Sequence, residues 1–275
     1  MNRPPARIPQ PATGRAATVF ARADGFARRT LSVLQFVGDL SATFARGLDP
    51  GIWRRTMREE FTRFFFHVGV RAVPAVVVVA LLVGVGLVVQ ILYWLNLVGQ
   101  KDSVGTFLVM MLVREIAPIV TALVVIGRSG SVLLDEVGRL KAEGQIRMLE
   151  SIGIDPTDFI AVPRCFALAL ATFMLTLIFL YVALWFGFIA ASLAGLTPIS
   201  LLEFVDSVLS HMTLGDNLLL LTKPAVIGFV VAYIPIWLGL RVDSSVLAVR
   251  QALPRSFVYS LLAAFLIGVA VSVVL

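Results

Sequence analysis

The stretch LVMMLVREIAPIVTALVVIG, residues 108–127, places two adjacent charges, Arg114 and Glu115, and then Pro118 within an otherwise uncharged run. A helix needs about 20 predominantly apolar residues to cross a bilayer, and this run is long enough. A charge at the centre of such a helix costs roughly 2.5–3.5 kcal/mol on insertion scales, so it is rarely left facing lipid. The stretch therefore predicts a membrane span that carries a specialised polar locus.

The composition of the whole chain supports a membrane protein. Of its 275 residues, 59% are hydrophobic and 15% are charged, and the mean hydropathy is +0.93. A soluble domain of this size needs more polar surface. The single cysteine, Cys165, excludes an intrachain disulfide framework and a multi-cysteine metal site, and His67 and His211 lack metal-ligand spacing. We expect no metal site and no catalytic residue in this chain.

Five segments meet the length and apolarity that a spanning helix requires, which predicts an all-α polytopic membrane protein. They are residues 72–98, 104–127, 165–193, 218–240 and 257–275. Apart from Lys101, Arg114 and Lys223, 20 of the 23 basic residues fall on one side of this arrangement. By the positive-inside rule that side is cytoplasmic, so we expect a cytoplasmic N-terminus and a C-terminus on the opposite side.

The region before the first span divides into two parts. Residues 1–18 hold four prolines and three arginines without an apolar period, which predicts disorder. Residues 19–69 are predicted to form a helical segment on the cytoplasmic side, with Asp49-Pro50 opening its main helix. The apolar face of that helix comprises Trp53, Met57, Phe61, Phe64, Phe65 and Val68. A basic amphipathic helix lies in the membrane interface, or it packs on the spans of the protein itself; both readings stay open. Nucleic-acid binding is disfavoured because the arginines are interleaved with this membrane-binding pattern.

A polar segment separates the second and third spans. Residues 131–152 predict an amphipathic helix, and Gly153 with Asp155-Pro156 predicts the turn that ends it. Such a helix on the cytoplasmic face is suited to docking a soluble partner. A solvated loop helix without a partner is the alternative, and composition alone favours it.

The stretches REIAPIVTALVVIGRSGS, DEVGRLKAEGQI and LESIGIDPTDFIAVPR resemble the MlaE/YrbE family of ABC-transporter permeases. Family members read roughly R-E-L-G-P-V-L-T-A-L, then G-R-x-G-S, E-L-G-T-M-K, E-Q-I, a G-V-D-P turn and P-R. The matching positions are Arg114, Glu115, Pro118, Thr121, Ala122, Leu123, Gly127, Arg128, Gly130, Ser131, Glu136, Gly138, Lys141, Gln145, Ile146, Gly153, Asp155, Pro156, Pro163 and Arg164.

The resemblance implies a permease domain over residues 70–275 that works as a homodimer in the bacterial inner membrane. Its 131–152 helix would be the coupling helix, seated in a separate cytoplasmic ABC ATPase that binds ATP and Mg²⁺. A periplasmic MCE-domain protein would carry phospholipid or a related lipid on the outer face. The residues expected to couple to the ATPase are Glu136, Arg139, Lys141, Glu143, Gln145 and Ile146.

The chain departs from the family pattern at Gly144, at Arg147, in the loop after Leu240 and at Gly268. These departures concern the identity of the ATPase and the lipid selectivity, and they leave the fold and the transporter class as expected.

The charges of the second span predict a lipid-binding cavity. Pro118 removes the backbone hydrogen bond to the carbonyl of Arg114 and bends the helix there, which is tolerated where protein or water satisfies that carbonyl. Adjacent helix positions point about 100° apart, so Arg114 and Glu115 need partners elsewhere. We expect both to line the cavity with Lys223 of the fourth span, and Met111 and Leu112 to supply apolar walls.

The alternatives at this locus concern each basic residue separately. Lys223 could extend its stem to bring the ammonium group to the interface. Arg114 could form a structural pair with Glu115 of another turn or of another subunit.

Three functions compete at the level of sequence. The chain has no G-x-x-x-x-G-K-[ST] phosphate loop, so an ABC permease requires a partner ATPase. A secondary, proton-coupled transporter of a hydrophobic substrate would use Glu115 as its proton site. A membrane-embedded enzyme is disfavoured because neither His67 nor His211 lies near an acidic cluster.

Overall fold

The computed structural model describes residues 34–100, 103–196, 200–242 and 246–274, and within these ranges the regular secondary structure is entirely helical. The predicted tail over residues 1–18 lies outside the described residues, as does the first part of the 19–69 segment. The helices are α1 (34–47), α2 (Arg55–Val68), α3 (Val73–Val98), α4 (Val104–Leu108), α5 (Ala117–Val125), α6 (Ser131–Ala142), α7 (Gln145–Ser151), α8 (Pro156–Leu193), α9 (Leu201–Ser210), α10 (Leu214–Arg241) and α11 (Val246–Val274).

Among the described residues, five helical segments are long and apolar enough to cross a membrane, which confirms the predicted class of fold. They are Arg55–Val98, Val104–Ala142, Pro156–Leu193, Leu214–Arg241 and Leu247–Val274. A short 3₁₀ turn, Val70–Ala72, joins α2 to α3 within the first of them. Every segment occurs in the predicted order, but four of them differ from the expected boundaries.

The second segment is longer than predicted because it does not end at residue 127. Two π-helical stretches, Val109–Ile116 and Ile126–Gly130, connect α4, α5 and α6 into one helical run from Val104 to Ala142. The apolar residues of α6 are buried against α10 and α11, and this packing continues the helix past the charged residues that suggested an end.

The prediction of one continuous helix over residues 131–152 is wrong. The helix breaks into α6 and α7 at Gly144, whose φ of 77° lies in the left-handed region that favours glycine. The predicted turn at Gly153 and Pro156 is present: Gly153 has a φ of 77° and Pro156 occupies the first turn of α8.

Local capping explains why the third and fourth spans begin earlier than expected. Asp155 accepts a hydrogen bond from the Thr157 N–H and so begins α8 at Pro156, nine residues before the predicted start at 165. Thr213 and Asp216 form a capping box that begins α10 at Leu214 instead of residue 218. α11 begins at Val246 instead of residue 257 and contains Pro254 within the helix.

The predicted start of the interfacial helix at Asp49 is also wrong. The Asp49 carboxylate accepts a hydrogen bond from the Gly51 N–H at 2.9 Å, which forms a turn instead of a helix cap. α2 then begins at Arg55 and packs against α8, with Met57, Phe64 and Val68 buried. The apolar face of this helix therefore packs on the spans of the protein, as one of the two readings expected.

Small residues allow α3 and α8 to approach closely. A Cβ added to Gly84 would lie 2.3 Å from the Cβ of Ala183, and one added to Gly187 would lie 2.6 Å from the Cβ of Val88. Both distances are shorter than side chains tolerate, so glycine is required at these crossings. This close pair of helices, with α10 packed against α8 and α11, forms the frame that positions the polar locus.

Candidate functional site

The backbone around Pro118 provides the first element of the site. The Ala117 N–H donates to the carbonyl of Leu112, five residues back, and Pro118 has no N–H to donate. The carbonyl of Arg114 is thereby freed, as the sequence predicts. Lys223 Nζ fills the vacancy by donating to Arg114 O at 2.7 Å. A lysine from α10 thus replaces the backbone hydrogen bond that the proline removes.

The ammonium group of Lys223 joins three segments of the chain. It donates to Glu115 Oε2 at 2.8 Å and to Ser272 Oγ at 2.7 Å, in addition to the Arg114 carbonyl. Ser272 in turn donates to Glu115 Oε1 at 2.6 Å. Three acceptors satisfy the three donors of the ammonium, which explains how a fully buried lysine is retained. Extension of Lys223 to the interface is therefore not observed.

Arg114 has a different carboxylate partner. Its Nε atom contacts Asp216 Oδ1, and the Asp216 side chain is 1% exposed. Asp216 is held in place because its other oxygen accepts hydrogen bonds from the Thr213 N–H and hydroxyl at 2.8 and 2.7 Å. Within this chain Arg114 therefore forms its ion pair with Asp216 of α10, and a pair with Glu115 of another subunit stays a prediction.

We call Arg114, Glu115, Asp216, Lys223 and Ser272 the ion cluster. Two formal positive charges face two formal negative charges, so the cluster is electrically balanced. It is not sealed: within this single chain the Glu115 side chain is 44% exposed and the Arg114 side chain is 37% exposed. Half-exposed ions in a spanning segment require water, a ligand or another protein surface beside them.

The apolar residues predicted beside the charges divide into two groups. Met111 is 49% exposed, as is its neighbour Met110 at 54%. Leu112 is completely buried, so in this chain it packs in the interior and lines no open surface. The open face next to the charges is therefore made of flexible methionine side chains, which adapt to ligands of irregular shape.

The residues predicted to couple to an ATPase also divide by their contacts. Glu136 accepts a hydrogen bond from Arg164 Nη2 at 2.8 Å. Lys141 Nζ donates to the carbonyls of Leu240 and Val242, both at 2.6 Å, and so caps the end of α10. Glu136 and Lys141 therefore bind other residues of the same chain.

The other predicted coupling residues lie at the break between α6 and α7. Gln145 Nε2 donates to Glu143 Oε2 at 2.8 Å, and Arg139, Glu143 and Gln145 are exposed, whereas Ile146 is buried. α7 further exposes Met148, which is 68% accessible and which the sequence analysis did not single out. An exposed surface of charged and apolar side chains at a bend is suited to contact with another protein.

The start of α8 is tied to the chain before the first span. Arg46 Nη1 contacts Asp155 Oδ2 at 3.0 Å and Asp158 Oδ1 at 2.6 Å. Partial burial raises the pKa of Asp155, but hydrogen bonds from Thr157 and Arg46 outweigh it and hold the pKa below its usual value. The contacts with both aspartates raise the pKa of Arg46.

Comparison with known proteins places this geometry in a family. The family model described as permease MlaE matches residues 61–274 of this chain. A probable ABC transporter permease protein of Synechocystis sp. is 31% identical over 199 residues, which cover 72% of this chain and 75% of that protein.

Two further relatives carry names that refer to lipids. The intermembrane phospholipid transport system permease protein MlaE of Haemophilus influenzae is 32% identical over 119 residues, which cover 43% of this chain and 46% of that protein. The chloroplastic protein TRIGALACTOSYLDIACYLGLYCEROL 1 of Arabidopsis thaliana is 26% identical over 218 residues, which cover 78% of this chain and 59% of that protein. The family match includes most of the first span, the other four spans, the ion cluster and the bend between α6 and α7, and the chain belongs to the MlaE permease family.

Proposed function

We propose that this chain is the permease subunit of an ABC transporter that moves phospholipid or a related lipid. The observation that carries the proposal is the half-exposed pair Arg114 and Glu115, held open on one side in a span of an MlaE-family chain. A guanidinium group beside methionine side chains offers a phosphate contact and an apolar contact at the same place. Lipid headgroups and acyl chains require this combination.

The ion cluster carries no excess of fixed charge, and this balance supports a role in binding a lipid headgroup. Asp216 and Glu115 neutralise Arg114 and Lys223, so an arriving phosphate would compete with Asp216 for the guanidinium group. Because Lys223 is fully buried, it acts on the ligand only by positioning Glu115 and the Arg114 backbone. Arg114 and Glu115 are the groups that touch the ligand in this proposal, and Met111 forms part of the apolar wall.

The proposal includes three partners. A second copy of this chain would cover the open side of the ion cluster, which explains why ions are exposed there in a single subunit. A separate cytoplasmic ABC ATPase, with its bound ATP and Mg²⁺, would dock on Arg139, Glu143, Gln145 and the α7 surface. A periplasmic MCE-domain protein would exchange lipid at the opposite end. The complex would lie in a bacterial inner membrane with the N-terminus of this chain in the cytoplasm and its C-terminus in the periplasm.

A reconstituted transfer assay tests the proposal. The chain would be purified with an ABC ATPase and an MCE-domain protein from the same organism, placed in vesicles with radiolabelled phospholipid, and assayed for ATP-dependent transfer of label to or from the MCE protein. We expect Glu115→Gln to lower the transfer rate by about tenfold or more, because it weakens a charge-assisted contact in a membrane site. Glu59→Gln, on the exposed face of α2, is the matched control and should transfer lipid normally.

The same assay separates the ABC permease from the proton-coupled alternative. An ATPase subunit whose phosphate-loop lysine is replaced should abolish transfer if this chain is an ABC permease. Transfer that continues with that inactive ATPase, and that responds to a pH gradient, would assign the chain to the secondary transporters. A correctly assembled Glu115→Gln complex that moves lipid at the normal rate would remove Glu115 from the substrate site.

A further inference from the structure

An unpaired polar side chain lies within the first membrane span. α3 contains two residues with amide side chains, Gln90 and Asn96. The Asn96 amide donates to the carbonyls of Leu92 and Leu196, at 3.0 and 2.8 Å. Gln90 is exposed, and no described residue makes a hydrogen bond with its side chain. Its amide group therefore needs an acceptor and a donor from outside the chain.

The depth of Gln90 places this amide in the hydrocarbon region of a bilayer. α3 is 26 residues long, and Gln90 precedes its end at Val98 by roughly 12 Å along the helix axis. The hydrocarbon core is about 30 Å thick, so a helix of this length extends only a few ångströms beyond each face. Glutamine lacks the long stem with which lysine and arginine reach the interface. Acyl chains offer no hydrogen bonds, so an amide left among them is unfavourable.

Gln90 belongs to the face of α3 that points away from α8. Gly84 and Val88 are in contact with α8. Gly86 and Gln90 follow these two residues by two positions each, which is about 200° further round the helix. We call the exposed residues on this side the α3 face: Leu82, Gly86, Gln90, Tyr93 and Leu97.

The glycine one turn before Gln90 would let another helix approach closely. A Cβ added to Gly86 would meet nothing within 4 Å, so packing among the described residues does not require a glycine there. Small residues in spanning helices mark places where two backbones approach, and amide side chains form hydrogen bonds across such contacts. The α3 face therefore carries two separate features of a contact between spanning helices.

A second copy of the chain can satisfy the amide by symmetry. In a dimer with two-fold symmetry, the same surface patch lies on both subunits. A glutamine amide has donors and an acceptor, so two Gln90 side chains on either side of the axis can exchange two hydrogen bonds. Leu82, Tyr93 and Leu97 would supply the apolar part of the contact.

The position of the ion cluster is consistent with this partner. α3 packs against α4 and α5 of the second span. Arg114 follows the start of α4 at Val104 by roughly 15 Å along the helix axis, which is close to the depth of Gln90. A second copy that covers Arg114 and Glu115 would therefore lie beside a helix that neighbours α3, at the depth where the amide is exposed.

We propose that the α3 face forms the contact between two copies of this chain, with the two Gln90 amides hydrogen-bonded across the two-fold axis. This inference rests on the homodimer of the proposed function and names the surface that forms it. Dimerisation is measured without ATP, ATPase or lipid transfer, so failure of the α3 contact and failure of the transport function give different results.

Cysteine cross-linking in native membranes tests the contact. Cys165, the one cysteine of the chain, is buried, so the parent protein should give no cross-linked dimer. We expect Gln90→Cys to give a cross-linked dimer with a short bismaleimide reagent. Ile189→Cys is the matched control and should stay monomeric. Ile189 is 40% exposed and follows Gly187 by two positions, as Gln90 follows its contact Val88, so it lies at the same depth but points away from α3.

Sedimentation equilibrium of the purified full chain in detergent measures the hydrogen bonds. We expect Gln90→Leu to weaken dimerisation about tenfold, because two hydrogen bonds between spanning helices are lost. Gln90→Asn retains an amide and should weaken dimerisation by a smaller factor. Gly86→Leu adds a side chain where the helices approach and should weaken it at least as much as Gln90→Leu. Ile189→Leu should leave it unchanged.

Other occupants of the α3 face would give different results. Equal cross-linking at positions 90 and 189, or a Gln90→Leu chain that dimerises as strongly as the parent, would overturn the proposal. Cross-linking of Gln90→Cys to the MCE-domain protein instead of to a second copy would assign the face to that partner. A Gln90→Leu variant that dimerises normally but transfers lipid slowly would make Gln90 a contact of the substrate. Either of these two results would also overturn the proposed contact.

Discussion

The ion cluster and the contact between Arg164 and Glu136 both bury a cation, but they satisfy its hydrogen-bond donors to different extents. Both place a buried cation next to a partly exposed glutamate: Lys223 with Glu115 in the first, and Arg164 with Glu136 in the second. The ammonium group of Lys223 has three acceptors within the chain, whereas two donor atoms of Arg164 have none among the described residues. The comparison indicates that the chain satisfies the hydrogen-bonding capacity of Lys223 completely, whereas it leaves that of Arg164 partly unsatisfied among the described residues.

The largest expected effect comes from removing Lys223. In Lys223→Met, the carbonyl of Arg114 and the carboxylate of Glu115 lose their shared donor, and we expect the free energy of unfolding to fall by about 3 kcal/mol. Thermal unfolding of the purified chain in detergent measures the loss. The double variant Lys223→Met with Glu115→Gln should recover part of it, because no uncompensated charge remains.

Ser272→Ala serves as the matched control for that measurement. It removes one acceptor from Lys223 and one donor to Glu115 but leaves the ion pair, so about 1 kcal/mol should be lost. If Lys223→Met is no more destabilising than Ser272→Ala, the role of Lys223 as the replacement for the missing backbone donor is wrong.

A smaller loss of stability is expected when the contact between Arg164 and Glu136 is weakened. Glu136→Gln weakens the contact with Arg164, and because hydrogen bonds to charged groups contribute about 1.5–3 kcal/mol, we expect a loss of about 2 kcal/mol. The exposed Glu143→Gln should change stability by less than about 0.5 kcal/mol. A Glu136→Gln protein as stable as the parent would show that Arg164 does not need its carboxylate.

The smallest effect concerns Arg46 and depends on pH. Asp155 has a pKa below its usual value in the folded chain, so the stabilisation is present at pH 7 and is lost as the pH falls through about 4 and below. Arg46→Gln should lower stability at pH 7 by less than about 1 kcal/mol, because Arg46 and Asp155 are each nearly half exposed.

The pH series needs a matched variant on a nearby exposed position, for which Arg58→Gln is suitable. The difference in unfolding temperature between the parent chain and Arg46→Gln should shrink progressively as the pH falls below 4, because protonation removes the negative charge of Asp155. A difference that stays constant from pH 7 to pH 3 would exclude the carboxylate as the partner that matters.

Much of the spanning architecture could be predicted because lipid imposes a length and an apolar composition on each helix. The consequence of Pro118 for the Arg114 carbonyl was also predictable, since proline removes a backbone donor in any helix. The proximity of Lys223 to Glu115 was a hypothesis that the structure places at 2.8 Å. Its role in binding lipid stays a prediction.

The sequence analysis did not predict Asp216 and Ser272 as members of the ion cluster, and the reason is the same for both. Asp216 lies 102 positions from Arg114, and Ser272 lies 157 positions from Glu115, so only helix packing brings each pair together. Asp216 also stood in a predicted loop, although Thr213 three residues earlier is a capping-box signal that would have extended α10 over it. The break at Gly144 was missed because an amphipathic period continues across it.

The single helical run from Val104 to Ala142 has a mechanical consequence. No loop separates the exposed bend at Glu143 from the charged face at Arg114, so a rotation at one end is carried to the other along a helix whose backbone hydrogen bonding is interrupted at Pro118. The two stretches of wider winding are where such a rod can gain or lose a fraction of a turn, and one of them contains Arg114 and Glu115 themselves. Rotation of the rod would therefore be read out as a change in which side chains the charged face presents.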